Sequence, residues 1–153
     1  IELHGVSPQN FGLYFGVNAC GLIGASQINR KLLRHLSAGQ ILNRALSINV
    51  VSALLLTAAI TTGIGGFATQ AALLFVCLSM TGFLYPNITA LALAPFGRAA
   101  GSASALLGAF QYTLGASAGA FVGMFHNGTA VPMIATMAAC GIVGWCVMMA
   151  TPR

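Results

Sequence analysis

Residues 45–97 read ALSINVVSALLLTAAITTGIGGFATQAALLFVCLSMTGFLYPNITALALAPFG, and no Lys, Arg, Asp, Glu or His occurs between Arg44 and Arg98. A soluble surface needs interspersed charges of both signs, and a stretch of this length without any cannot supply one. Hydrocarbon accepts it, on the condition that every backbone N–H and C=O finds a partner within the protein, as in a helix or a closed barrel. Barrel strands are about ten residues long and alternate apolar with polar side chains. This stretch does not alternate. The turn-forming cluster from Gly63 to Gly66 divides it into two runs near the ~20 residues with which an α-helix crosses ~30 Å of hydrocarbon. The fold class is therefore an all-α membrane protein.

The rest of the chain agrees. It has 153 residues, 58% of them hydrophobic and 5% charged, against about 25% charged in a soluble domain. Six Lys and Arg face one acid, for a net charge of +5. The bases stand at segment ends and form no groove-reading cluster, which argues against nucleic-acid binding. Cys20, Cys77, Cys140 and Cys146 all fall in apolar runs with no CxxC pair, and they read as small buried hydrophobes. His4, His35 and His126 are far apart, with no metal-ligand spacing, so neither a metal nor another cofactor is expected. The opening IELHGVSPQN has no start Met, basic segment or cleavage site, and reads as the interior of a longer chain.

Five transmembrane helices are expected, over residues 11–29, 42–62, 68–93, 101–125 and 131–150. Ser37-Ala38-Gly39, Gly63 to Gly66, Pro95-Phe96-Gly97 and Asn127-Gly128 are the expected turns. Pro86 lies inside the third run, where it removes a backbone hydrogen bond and predicts a kink. Membrane helices tolerate this where a neighbour re-satisfies the freed carbonyl. Threading the chain through five crossings puts Arg30, Lys31, Arg34, Arg44, Arg98 and Arg153 all on one side. The positive-inside rule makes that side cytoplasmic, with the N-terminal end outside and the C-terminus inside. These basic residues are topogenic, and they suit anionic lipid headgroups.

Residues 82–123, GFLYPNITALALAPFGRAAGSASALLGAFQYTLGASAGAFVG, resemble the drug:proton antiporters of the major facilitator superfamily, of the bicyclomycin-resistance (Bcr/CflA) type. The resemblance rests on Pro86-Asn87, on Ala90 to Leu93, on Gly101-Ser102-Ala103-Ser104-Ala105-Leu106, on Gln111, and on Gly115, Gly119 and Gly123. The opening GVSPQNFGLYFGVNACGLIGASQINRKLLR is similar to the family's segment around its eighth helix. The resemblance implies that the five helices are helices eight to twelve of a twelve-helix transporter in the bacterial inner (plasma) membrane. The partners it implies are the lipid bilayer, small amphipathic substrates and an N-terminal half outside this chain. It also implies export driven by the proton gradient. The family's proton-coupling acids lie in that other half, and no acid follows Glu2 here.

Gly115, Gly119 and Gly123 recur every four residues and form a small-residue face, with Gly12 and Gly16 a shorter version. In the resembled fold these faces pack against the other half and slide during alternating access. Asn18, Asn87, Gln111 and Tyr112 are polar groups at membrane depth. They are either interhelical hydrogen-bonding groups or the lining of a substrate cavity. Pro86 is either a hinge or a fixed bend. An uncharged wall suits neutral or lipophilic cationic compounds better than anions. Rival readings are a sugar or metabolite carrier of the same fold, and a small channel or assembly subunit. An enzyme is not expected, because no acid or well-placed His accompanies Ser102 and Ser104.

Overall fold

The computed structural model describes residues 8–125 and 128–150, with side chains from residue 12 onward. Within them the chain forms five α-helices and no strand: α1 Pro8–Leu32, α2 Ala38–Thr62, α3 Gly66–Leu93, α4 Ala100–Met124 and α5 Val131–Ala150. A six-residue 3-10 turn, Ala94–Ala99, joins α3 to α4.

Local chemistry sets the ends. Ser37 does not lie in a turn followed by two more turn residues; it is the N-cap of α2. Its hydroxyl accepts from the Gln40 amide N–H, and the Gln40 side chain accepts from the Ser37 N–H, completing a capping box. Ala38 and Gly39 therefore belong to the first turn of α2, which starts four residues before position 42. Arg44 lies on that helix, within its first two turns. Gly63 ends α2 in the left-handed region at φ 70°, and Gly65 follows at φ 85°, conformations that cost a side-chain-bearing residue far more than glycine. At Gly97 (φ 41°, ψ −110°) the chain breaks from helical geometry and turns into α4.

Three stretches are long and apolar enough to cross a membrane: Ala38–Thr62, Gly66–Met124 and Val131–Ala150. The middle one contains both α3 and α4 with the 3-10 turn between them. α1 is of similar length but carries Asn18, Ser26, Gln27 and Asn29, and it is not among the three.

The buried residues are mostly small. Ala53 of α2, Cys77 of α3 and Ala138 of α5 form the central cluster, and Ile41, Ala45, Leu56, Ala59 and Ile134 are also buried. Lipid is as apolar as leucine, so helices gain little by hiding large side chains from it. Small residues that let backbones approach are what hold them together. Many large apolar side chains accordingly point outward, with examples on every helix in Phe15, Leu55, Tyr85, Leu114 and Val143.

Partners do not follow chain order. α2 packs on α3 and on α5, and α1 packs on α3, not on α2. α1 runs parallel to α3, since Tyr14 meets Phe67 near the start of both helices and Asn29 meets Asn87 near the end. α5 runs antiparallel to α2: Trp145 Nε1 donates to Ser47 Oγ at 3.3 Å, while Gly141 lies opposite Val50. α1 and α3 thus run the same way, and α2 and α5 run opposite to each other. Arg30 and Lys31 at the end of α1 and Arg98 after α3 therefore share one end of the bundle, and all are exposed. The turn at Gly63 and residues 129–131 meet in a shallow groove at the opposite end, which carries no described charge. Arg153 lies outside the described residues.

Candidate functional site

The α1–α3 crossing is built on two glycines. Gly82 of α3 presses against α1 so closely that a Cβ there would stand 2.9 Å from the Cβ of Ala25 and 3.2 Å from the backbone nitrogen of Ser26, with the Leu22 carbonyl oxygen nearer still. About one turn earlier on α1, Gly21 faces the ring of Phe75 and the hydroxyl of Ser79 in the same way. Neither glycine belongs to a four-residue repeat.

At this crossing lies Pro86. Having no N–H, it cannot donate to the carbonyl four residues back, which is that of Gly82. The Ser26 hydroxyl of α1 donates to that carbonyl instead, at 3.1 Å. One residue further on, Asn87 is 1% exposed. Its Nδ2 donates to Asn29 Oδ1 of α1 at 2.7 Å and to its own helix at the Phe83 carbonyl, also 2.7 Å. Asn29 is itself 2% exposed. The amide of Asn87 therefore faces Asn29 and not open space.

A second polar knot holds α2 to α3. Asn49 Nδ2 donates to the Cys77 carbonyl at 2.9 Å, and Ser52 Oγ lies 3.2 Å from Cys77 Sγ while donating to the Asn49 carbonyl. All four cysteines are free thiols. Among the described residues, no group of three His, Cys, Asp or Glu side chains converges in a metal-binding arrangement.

The remaining singled-out residues are not brought to this crossing. Asn18 is half-buried on α1. Gly12 and Gly16, with Leu13, Val17, Cys20, Gly21 and Phe75, line an open apolar groove of about 530 Å³ along the α1–α3 seam. Gln111 and Tyr112 are exposed on α4, Tyr112 at 84%. α4 has no buried residue, and a Cβ at Gly115, Gly119 or Gly123 would meet nothing within 4 Å. Its glycine face is vacant within this chain. Residue spacing alone pointed to those glycines and passed over Gly21, Gly82, Ser26 and Asn29. The signal that leads to Ser26 is the proline, because an orphaned carbonyl in lipid calls for a donor from the next helix.

The chain is 34% identical over 148 residues to the uncharacterised MFS-type transporter YdgK of Bacillus subtilis. It is 31% identical over 145 residues to the bicyclomycin resistance protein homolog of Haemophilus influenzae. Each alignment covers 94% of this chain but only 35% and 36% of those proteins, so the chain spans about a third of the length of these curated relatives. No family model matches the chain, and no solved structure does. Three stretches fit to cross a membrane, together with relatives named as transporters, make the chain a multi-pass membrane protein.

Proposed function

We propose that the chain belongs to the major facilitator superfamily and supplies the last five membrane-crossing helices of a twelve-helix transporter that exports small amphipathic compounds in exchange for protons. The observation that carries this reading is the similarity, over 94% of the chain, to two proteins named as a transporter and as a drug-resistance protein homolog. The one-sided distribution of described bases supports an outward N-terminal end and a cytoplasmic C-terminus in a bacterial inner membrane.

In this arrangement α1, α3 and α4 form one wall of a central cavity, and helices outside this chain form the other. The wall is uncharged. Asn18, Gln111 and Tyr112 offer it a few orienting hydrogen bonds, while the open faces at Gly12 and Gly16 on α1 and at Gly115, Gly119 and Gly123 on α4 receive the opposing half. Protonation of acids in that half biases the inward and outward states, and this wall contributes shape and apolar contact.

The test expresses the full-length protein in a bacterium stripped of its own exporters. Accumulation of neutral and cationic amphipathic dyes is measured with and without a protonophore. Gradient-dependent export that weakens several-fold with Gln111→Ala or Tyr112→Ala, at normal membrane levels, is the expected result. Unchanged accumulation of every dye, or export indifferent to the protonophore, overturns the antiport reading. Unchanged export by both variants removes those two side chains from the cavity.

A further inference from the structure

We propose that α1 is a splint for α3. It is bonded to α3 on both sides of Pro86, so the two helices hold one shape and move as a single body. Before the proline, Ser26 Oγ donates to the Gly82 carbonyl at 3.1 Å, in place of the N–H that Pro86 lacks. After it, Asn29 Oδ1 accepts from Asn87 Nδ2 at 2.7 Å. A regular helix that loses one rung can bend there at low cost, because a single bond no longer ties the two segments. Here the missing rung is rebuilt from outside, and α3 runs unbroken from Gly66 to Leu93. Changing the angle at Pro86 would have to pull one of these two bonds open. Both glycine contacts of the seam, Gly21 with Phe75 and Gly82 with Ala25, lie on the N-terminal side of the proline and fix that segment to α1 over about two turns of α3. Pro86 is thus a clamped step and not a free hinge, and Ser26 is the positioning residue that clamps it.

The test is a cycle of variants in the full-length protein, purified in mild detergent. Ser26→Ala should lower the thermal midpoint by several degrees where Pro86 is present. Combined with Pro86→Ala, which restores the backbone N–H to the Gly82 carbonyl, it should have little effect. Ser26→Thr, which keeps the hydroxyl, should stay near the parent.

Spin labels at Ala72→Cys and Ala90→Cys, with the native cysteines replaced by alanine, bracket the proline on exposed positions of α3. Their distance distribution should be narrow in the parent and broad with Ser26→Ala. An equal midpoint loss in both backgrounds overturns the proposal, as does a distribution that Ser26→Ala leaves narrow. If Ser26→Ala cannot be recovered folded, the double variant with Pro86→Ala must be recoverable, and its equal loss also overturns the proposal. None of these readouts depends on what the protein transports.

Discussion

Gly82→Ala adds one methyl group at the closest approach of α1 to α3, and its consequence can be worked from the distances. The new Cβ would lie 2.9 Å from the Cβ of Ala25 and 3.2 Å from the Ser26 nitrogen. Carbon atoms rest at about 3.5–4.0 Å, so the helices must part by roughly 1 Å. The Ser26 nitrogen and Leu22 oxygen that block the way are backbone atoms and cannot swing aside. A parting of that size stretches the Ser26–Gly82 and Asn29–Asn87 bonds, now 3.1 and 2.7 Å, past the ~3.6 Å at which a hydrogen bond is lost.

Overpacking costs about 1–3 kcal/mol, and each interhelical bond about 0.6–1.7 kcal/mol. The gain in helix propensity from Gly to Ala returns at most about 1 kcal/mol. The net loss is about 1–5 kcal/mol. Gly24→Ala is the matched control on α1: a Cβ there meets nothing within 4 Å, so only the propensity gain of up to about 1 kcal/mol remains. The assay is reversible unfolding of the full-length protein in mixed micelles of mild detergent and dodecyl sulfate, followed by circular dichroism. The same chemical change should move the midpoint in opposite directions at the two glycines. Equal shifts, or a neutral Gly82→Ala, would refute the close approach.

Other outcomes follow from the same geometry. A double-mutant cycle of Asn29→Ala and Asn87→Ala should give a coupling of about 0.6–1.7 kcal/mol in the same unfolding assay, as for other interhelical bonds in lipid; independent effects would mean the amides do not meet. Asn49→Ala removes the bond to the Cys77 carbonyl and should lower stability by about 1 kcal/mol, whereas Tyr112→Ala, on a side chain 84% exposed, should change it by less than about 0.5 kcal/mol. Cysteines introduced by Arg30→Cys and Arg98→Cys should react with a membrane-impermeant maleimide from the same side of the membrane. Labelling from opposite sides would break the helix threading.

The helices were legible because a long uncharged run in hydrocarbon has few structural options, and because the turns are marked by glycine and proline. The start of α2 was less so: Ser37-Ala38-Gly39 has the composition of a turn, but Gln40 completes a capping box that carries the helix back to Ala38. The contacts at the α1–α3 seam were not legible at all. Asn29 adjoins Arg30 at a helix end, and its partner stands 58 positions away. Gly21 and Gly82 lack the repeat that makes Gly115, Gly119 and Gly123 conspicuous, although both touch another helix within this chain. Local pattern tells which residues can pack closely. Which of them do depends on the three-dimensional order of helices, and that order departs from chain order.

That departure bears on how the protein is made. α1 is joined to α2 by only five residues, 33–37, yet its partner is α3, whose last residue is Leu93. At the ~5–20 residues per second of translation, α1 is complete roughly 3–12 s before α3 is. During that interval the Ser26 hydroxyl and the Asn29 amide have no native mate. A nascent α1 must be sheltered at the insertion machinery or a neighbouring helix, or wait with those groups near the headgroups. Ribosome-stalled chains ending before Leu93 should therefore remain extractable or chaperone-bound, and release of α3 should be the event that commits the bundle to the bilayer.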